Sequence, residues 1–201
     1  MIRLAIIRHG RTAWNREGRI QGRRDIPLEA DAVSELAALC LPREWQHATL
    51  ISSPLARAVH TAELITGRAP DVIEPALIEM DYGEWEGLRS VDLGADQSSG
   101  FRHLPDWGWD YRPPRGESPA DVWLRLEPWV KSLRTDTVAV CHIGVIRTLL
   151  AIAYEWPFKG TPPFSIKRNS LYHLEVTDTL TPAVPLRIRL EKGGTVQSRV
   201  T

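Results

Sequence analysis

Two short apolar runs, residues 2–7 and 137–141, each break off at a histidine with glycine close behind, and this doubled arrangement constrains the fold more than any other feature of the chain. Runs of this length, apolar without clean alternation, suit strands buried on both faces. Such strands belong in parallel sheets covered by helices, and open sheets of that kind place ligands beyond the carboxyl ends of their strands. His9 stands there between Arg8 and Gly10, and His142 stands there before Ile143 and Gly144. One strand-end histidine would often be structural. Two at matching positions can converge on a single anion, with guanidinium groups beside them.

Arg8 abuts the first buried run, where a guanidinium needs an anionic partner and its planar fork fits a pair of phosphate oxygens. Gly10 permits a tight turn and close approach of backbone N–H groups to an anion. In the loop that follows, Asn15 and Gln21 offer uncharged donors, and together with Gly22 they are the substrate-binding candidates of this end of the chain. Arg11, Arg16, Arg19, Arg23 and Arg24 crowd the same loop and read as solvated surface charges.

In LISSPLARAVHTAELI a strand over 48–52 gives way to a helix over 54–66, with Ser53 as N-cap and Pro54 at the first helical position. Leu55, Ala58, Val59, Ala62 and Ile65 form its apolar face. Arg57 falls off that face and inside the first turns, where a cation opposes the helix dipole unless a bound anion offsets it. A surface arginine paired with Glu63 is the competing reading. His60 reads as a helix-surface or packing residue. In IEMDYGEWEG, Glu79 follows the apolar pair Leu77 and Ile78, which should anchor it near an anion. Like-charge repulsion there holds a carboxyl in the protonated form that a leaving oxygen needs. Glu84 and Glu86 read as solvent-facing, and Asp81 as orienting a neighbour. Arg147 either lies beneath the pocket near a carboxylate or faces solvent.

Strand 2–7, helix 28–41, strand 48–52, helix 54–66 and strand 71–74 alternate as in an α/β sheet. Helix 119–133 follows, announced by Ser118, Pro119 and Asp121 and carrying Pro128 as a kink. Strand 137–141, helix 144–154 and closing strands in NSLYHLEV and PLRIRLE complete the chain. The expected fold is a three-layer α/β sandwich with a central, mostly parallel sheet flanked by helices, in one domain over 1–201. Residues 81–117 break the alternation and read as an inserted segment walling the pocket. Trp107 and Trp109, with Tyr111, are candidates for stacking on an organic leaving group, with core packing as the competing role.

Taken in order, RHGRTAWN, GRIQGRRDIPL, SSPLARAVHTAELI, EMDYGEWEG, RGES and CHIGVIR resemble the motifs of the histidine phosphatase superfamily, in the branch with cofactor-dependent phosphoglycerate mutase and alpha-ribazole phosphatase. The resemblance implies a phosphoglycerate mutase-like fold. It also implies that His9 is the nucleophile forming a phosphohistidine, that Arg8, Arg57 and His142 clamp the phosphoryl group, and that Glu79 protonates the leaving oxygen and then activates water. The chain departs from the family in two places. Ile143 stands where the family commonly has the first glycine of His-Gly-Gly, and Glu29 and Ala32 replace the usual threonine and glycine of a helix start. Segment 81–117 is short for a phosphoglycerate mutase, which matches a small open phosphatase better.

The chain has 201 residues, with 25 basic against 25 acidic side chains, so it has no net attraction for nucleic acid or an anionic membrane. It shows no long apolar span and no secretion signal, and its two cysteines imply neither a disulfide framework nor a metal cluster, so a cytoplasmic location is expected. The expected activity is hydrolysis of a small phosphorylated metabolite through phosphohistidine, with alpha-ribazole 5'-phosphate as a candidate substrate and no metal or other cofactor. The alternatives are a phosphoglycerate mutase and a non-catalytic phosphoryl-ligand binder. A homodimer is the one protein partner in this expectation.

Overall fold

The computed structural model of the protein describes residues 1–193, so the expected domain over 1–201 extends, at 194–201, outside the described residues. In chain order the elements are β1 (Ile2–Arg8), α1 (Ala13–Arg16), α2 (Ala30–Ala37), β2 (Leu39–Cys40), β3 (Thr49–Ser52), α3 (Ala56–Thr66) and β4 (Val72–Ile73). They continue with α4 (Ser90–Ala95), α5 (Pro119–Ser132), β5 (Thr137–Cys141), α6 (Ile143–Ala153), β6 (Ser170–Val176), β7 (Leu180–Arg189) and β8 (Glu191–Lys192). A six-stranded sheet has the order β4-β3-β5-β1-β6-β7. Strands β4, β3, β5 and β1 are mutually parallel, β6 is antiparallel to β1, and β7 is antiparallel to β6.

Alternate side chains of the central strands feed two separate cores. Leu4 and Ile6 of β1 join Ala139 and Cys141 of β5 against Val122, Leu126 and Trp129 of α5 and Val145, Ile146 and Leu149 of α6. Ala5 and Ile7 join Val138 and Val140 against Leu36 of α2 and Ala58, Ala62 and Ile65 of α3. Each fully buried leucine or isoleucine contributes about 1.5–3 kcal/mol, and burial on both faces is what makes these runs apolar without alternation. The result is the three-layer α/β sandwich with a mostly parallel sheet.

Several boundaries differ from the expectation. Helix 28–41 is shortened to α2 because Leu39 and Cys40 pair with Lys192 and Glu191 as β2 with β8. Glu29 stands at its N-cap without a side-chain cap bond and pairs instead with Arg11 and Arg16 at 3.2 and 3.0 Å. The closing strand in PLRIRLE begins earlier, at Leu180, despite Pro182 and Pro185. Both prolines are tolerated because β7 is an edge strand, where missing N–H groups cost no ladder bond. Helix α3 starts two residues later than expected, with Leu55 and not Ser53 at the cap position. Its first N–H, of Ala56, is satisfied by the Asp25 carboxylate at 2.9 and 3.0 Å. In α5 the expected capping box of Ser118 and Asp121 is present, and the helix runs through Pro128.

Segment 81–117 is pinned shut at its ends. Glu84 N–H donates to the Pro114 carbonyl at 3.0 Å and Glu117 N–H to the Asp81 carbonyl at 2.8 Å. Gly83, at φ +50°, makes this approach feasible, since a Cβ there would lie 2.1 Å from the Pro114 oxygen. Inside the loop Trp85 packs on Phe101 and Tyr111, with ring centroids 5.2 and 5.9 Å away.

Candidate active site

Because β1, β3 and β5 are parallel, their carboxyl ends open along one edge of the sheet. The ladder continues one residue further, with His9 N–H donating to the Cys141 carbonyl at 2.9 Å and Ser53 N–H to the Val140 carbonyl at 3.0 Å. Arg8, His9, Ser53 and His142 are thereby brought side by side. A cavity of about 290 Å³ lies over them, lined by Arg8, His9, Asn15, Gln21, Glu79 and Arg147, and roofed by Phe101 and Trp107 of segment 81–117.

His9 is 2 % exposed. Its Nδ1 lies 2.6 Å from the Gly10 carbonyl oxygen. A carbonyl only accepts, so Nδ1 carries the hydrogen and Nε2 keeps its lone pair. Burial, followed by the charges of Arg57, Arg8 and Arg168, holds the imidazole well below the ordinary histidine range. It is therefore neutral at pH 7, as a nucleophile must be. His142 caps α6, and its ring centroid is 5.1 Å from that of His9. Its Nε2 shares a 2.7 Å hydrogen bond with Ser53 Oγ. Burial and then His9 and Arg57 keep it unprotonated as well.

Arg57 is not a surface residue paired with Glu63: it is 1 % exposed. Its Nη1 and Nη2 donate to the carbonyls of Arg24 and Gly22, both at 2.7 Å. This double anchor fixes the guanidinium, whose charge acts on His9. Glu79 is equally buried, and its Oε1 accepts from Met80 N–H at 2.8 Å and Gly144 N–H at 3.0 Å. Burial pushes its carboxyl above the usual carboxylate range against the opposing pull of those bonds and of Arg57 and Arg8. Gly144 is required here, since a Cβ would stand 2.5 Å from Glu79 Oε1. Ile143 adds its side chain to the cavity wall without displacing that contact.

The substrate-binding candidates separate. Thr12 Oγ1 and Asn15 Nδ2 both donate to Gln21 Oε1, at 2.7 and 3.1 Å, which turns the Gln21 Nε2 group away from them. Asn15 and Gln21 line the cavity, as does Trp107, whose Nε1 donates to the Arg102 carbonyl at 2.9 Å. Gly22 does not line the cavity, and its carbonyl holds Arg57. Trp109 does not line it either and packs edge-on against Phe158 at 4.8 Å in a cluster with Trp156. Tyr111 packs on Trp107 and Trp85. Arg147 resolves to the cavity wall, while Glu84 is exposed and Glu86 accepts from Arg24 N–H at 2.6 Å.

Arg168 is the residue that sequence reasoning missed. It donates to the His9 carbonyl at 2.6 Å and to Asn15 Oδ1 at 2.8 Å, across a separation of 159 residues from His9. In the sequence it stands between Lys167 and Asn169 with no local signal to distinguish it from a surface charge. Ser53 was read as a helix cap, and serves His142 instead.

Arg8 Nε, Gln21 Nε2, Arg57 Nε and His142 Nδ1 are all buried without a hydrogen-bond partner among the described residues. Buried polar groups normally find partners, and of the five such atoms these four belong to residues of the candidate site, the fifth being His173 Nε2 beside Trp45. Protonated or guanidinium nitrogens in such a cluster suit a phosphoryl group.

Comparison with known proteins agrees with this chemistry. A 2,3-bisphosphoglycerate-dependent phosphoglycerate mutase of Beijerinckia indica is 30% identical over 213 residues, covering 98% of this chain and 95% of the relative. A probable phosphoglycerate mutase GpmB of Proteus mirabilis is 33% identical over 135 residues, 66% of this chain and 63% of that protein, so the chain spans under two thirds of that relative's length. The crystal structure of TTHB049 from Thermus thermophilus superposes with a TM-score of 0.72 at 29% identity, over 96% of this chain and 97% of that one. The sequence profile described as "Histidine phosphatase superfamily (branch 1)" matches residues 4–184, which span β1 through most of the sheet and contain every residue of the cavity, and the chain belongs to that superfamily.

Proposed function

We propose that the phosphohydrolase site of this superfamily works in this chain through a phosphohistidine on His9 Nε2. The observation that carries this reading is the set of buried nitrogens without partners among the described residues, Arg8 Nε, Gln21 Nε2, Arg57 Nε and His142 Nδ1, together with the neutral His9 imidazole whose surroundings include the charges of Arg57 and Arg8. Nε2 attacks the phosphorus of a small phosphomonoester, and the donors meet the charge spread over its equatorial oxygens. Glu79, whose carboxyl burial raises above the usual carboxylate range, gives its proton to the leaving oxygen, and as carboxylate it then takes one from the acceptor. The anchoring of Glu79 on Gly144 and Met80 counts against a binder without turnover, which has no use for a carboxyl set beside an anion.

The acceptor and substrate are the finer questions. The names of the two curated relatives support phosphoglycerate, and with it transfer between two hydroxyls of the substrate, ahead of hydrolysis of alpha-ribazole 5'-phosphate. Arg147 supports the same reading: it lines the cavity, where a guanidinium suits a substrate carboxylate.

Mixing protein and phosphorylated substrate, quenching in alkaline denaturant and mapping the product by mass spectrometry tests the covalent step. Phosphate on His9 is expected, and normal turnover by His9→Ala would overturn it. Comparing 3-phosphoglycerate and alpha-ribazole 5'-phosphate by kcat/KM, while following isomer and inorganic phosphate separately, decides between mutase and phosphatase.

A further inference from the structure

The backbone that carries Glu79 is gripped from outside the cavity by three charged side chains. Arg125, on α5, donates through Nη1 to the Ala76 carbonyl and through Nη2 to the Ile78 carbonyl at 2.8 Å. Arg23 Nε reaches the Glu79 carbonyl itself at 3.5 Å. Glu117 joins them: its Oε1 accepts from Arg23 Nη2 at 2.7 Å and Arg125 Nε at 3.2 Å, and its Oε2 accepts from Asp81 N–H at 3.0 Å. Its own N–H donates back to the Asp81 carbonyl at 2.8 Å. Residues 76, 78, 79 and 81 are thus all held by side chains that do not line the cavity.

Neither Glu117 nor Arg125 lines the cavity, and their side chains are only 18% and 20% exposed. A carboxylate shared between two guanidiniums that are themselves bonded to backbone carbonyls makes a shape-specific brace, beyond what a screened surface pair supplies. A general acid must lie within hydrogen-bond reach of the leaving oxygen, so a small backbone shift at Glu79 removes proton donation without removing phosphate binding.

We infer that Glu117, through Arg125 and Arg23, is a positioning residue for Glu79 and sets how poor a leaving group the enzyme can expel. The inference rests on the reading of Glu79 as the general acid. It predicts a split between substrates: a phosphomonoester whose leaving group departs without a proton stays good, and one that needs the proton becomes poor.

The test measures kcat/KM of wild type, Glu117→Gln, Arg23→Gln and Glu79→Gln on p-nitrophenyl phosphate and on phenyl phosphate, with inhibition by inorganic phosphate and melting temperature beside them. Glu117→Gln is expected to lose about tenfold or more on phenyl phosphate and under about threefold on p-nitrophenyl phosphate, with phosphate inhibition kept. Arg23→Gln, at a more exposed position, is expected to show the same split more weakly and covers the case in which Glu117→Gln does not fold. Equal losses on both substrates, or none on either, in a folded variant would overturn the brace. Glu79→Gln separates this from the underlying reading. If it shows the split and the brace variants do not, the brace alone is wrong; if Glu79→Gln itself shows no split, the general acid is misassigned and the inference falls with it.

Discussion

The ring centroids of His9 and His142 lie 5.1 Å apart, and both imidazoles are buried and held well below the ordinary histidine range. Two cationic rings at that distance beside Arg8 and Arg57 would repel one another, so the folded protein keeps both neutral. In the unfolded chain each takes up a proton near its ordinary value of 6.5. The unfolded state therefore binds more protons below that pH, and stability present above 6.5 is lost as pH falls. The expected slope is about 1.4 kcal/mol per pH unit for each histidine until its folded value is reached. Chemical denaturation between pH 7 and pH 5 checks this, and His142→Asn should flatten the slope by roughly the share of one histidine.

Glu79 gives the opposite sign. Its carboxyl is raised by burial, so the folded protein holds a proton that the unfolded chain releases near 4.5. That stabilisation is present below 4.5 and is lost as pH rises through the raised value. Glu79→Gln, which mimics the protonated form, should lose this dependence and melt higher than wild type at alkaline pH. Its kcat/KM on phenyl phosphate should fall by about 10²-fold or more, and the alkaline limb of the pH profile that Glu79 sets should vanish.

Gly144→Ala should lower both stability and turnover. Replacing glycine inside an exposed helix normally stabilises by about 1 kcal/mol, because alanine loses less backbone freedom. Here the added Cβ would stand 2.5 Å from Glu79 Oε1 and 3.0 Å from Met80 Cβ, so Glu79 must move. A raised melting temperature with unchanged kcat would show that the contact has no such role.

Arg168→Gln removes the two bonds that tie the His9 carbonyl and the Asn15 side chain to the loop before β6. Turnover is expected to drop by about tenfold, since a small displacement of a nucleophile costs rate well before it costs fold. Arg168→Lys should not rescue it, because one ammonium does not reproduce a fork that spans two acceptors. Steady-state kinetics and melting curves on both variants decide.

The order of strands and helices was legible in the sequence where periodicity and burial coincide. Residues 4–7 and 138–141 are apolar throughout because two helical layers cover them, and Arg8, His9 and His142 follow directly from where those runs stop. Boundaries failed where the chain answers to a distant partner. Helix 28–41 gives way to α2 because β2 pairs with β8, and PLRIRLE starts early because an edge position excuses Pro182 and Pro185.

The burial of His9, His142 and Glu79 was readable because each stands beside its own anchoring run, so local sequence carried both the residue and its place. Tertiary structure alone decided the rest. It brought Arg168 to His9, gave Ser53 to His142 and the cap of α3 to Asp25, tied the Asp81 N–H to Glu117, and packed Trp109 on Phe158 away from the cavity. The physical reason is common to all five. A side chain bonds to whichever partner the packed sheet and loops present at hydrogen-bond or contact distance, and for these residues that partner lies far along the chain, where no local pattern can name it.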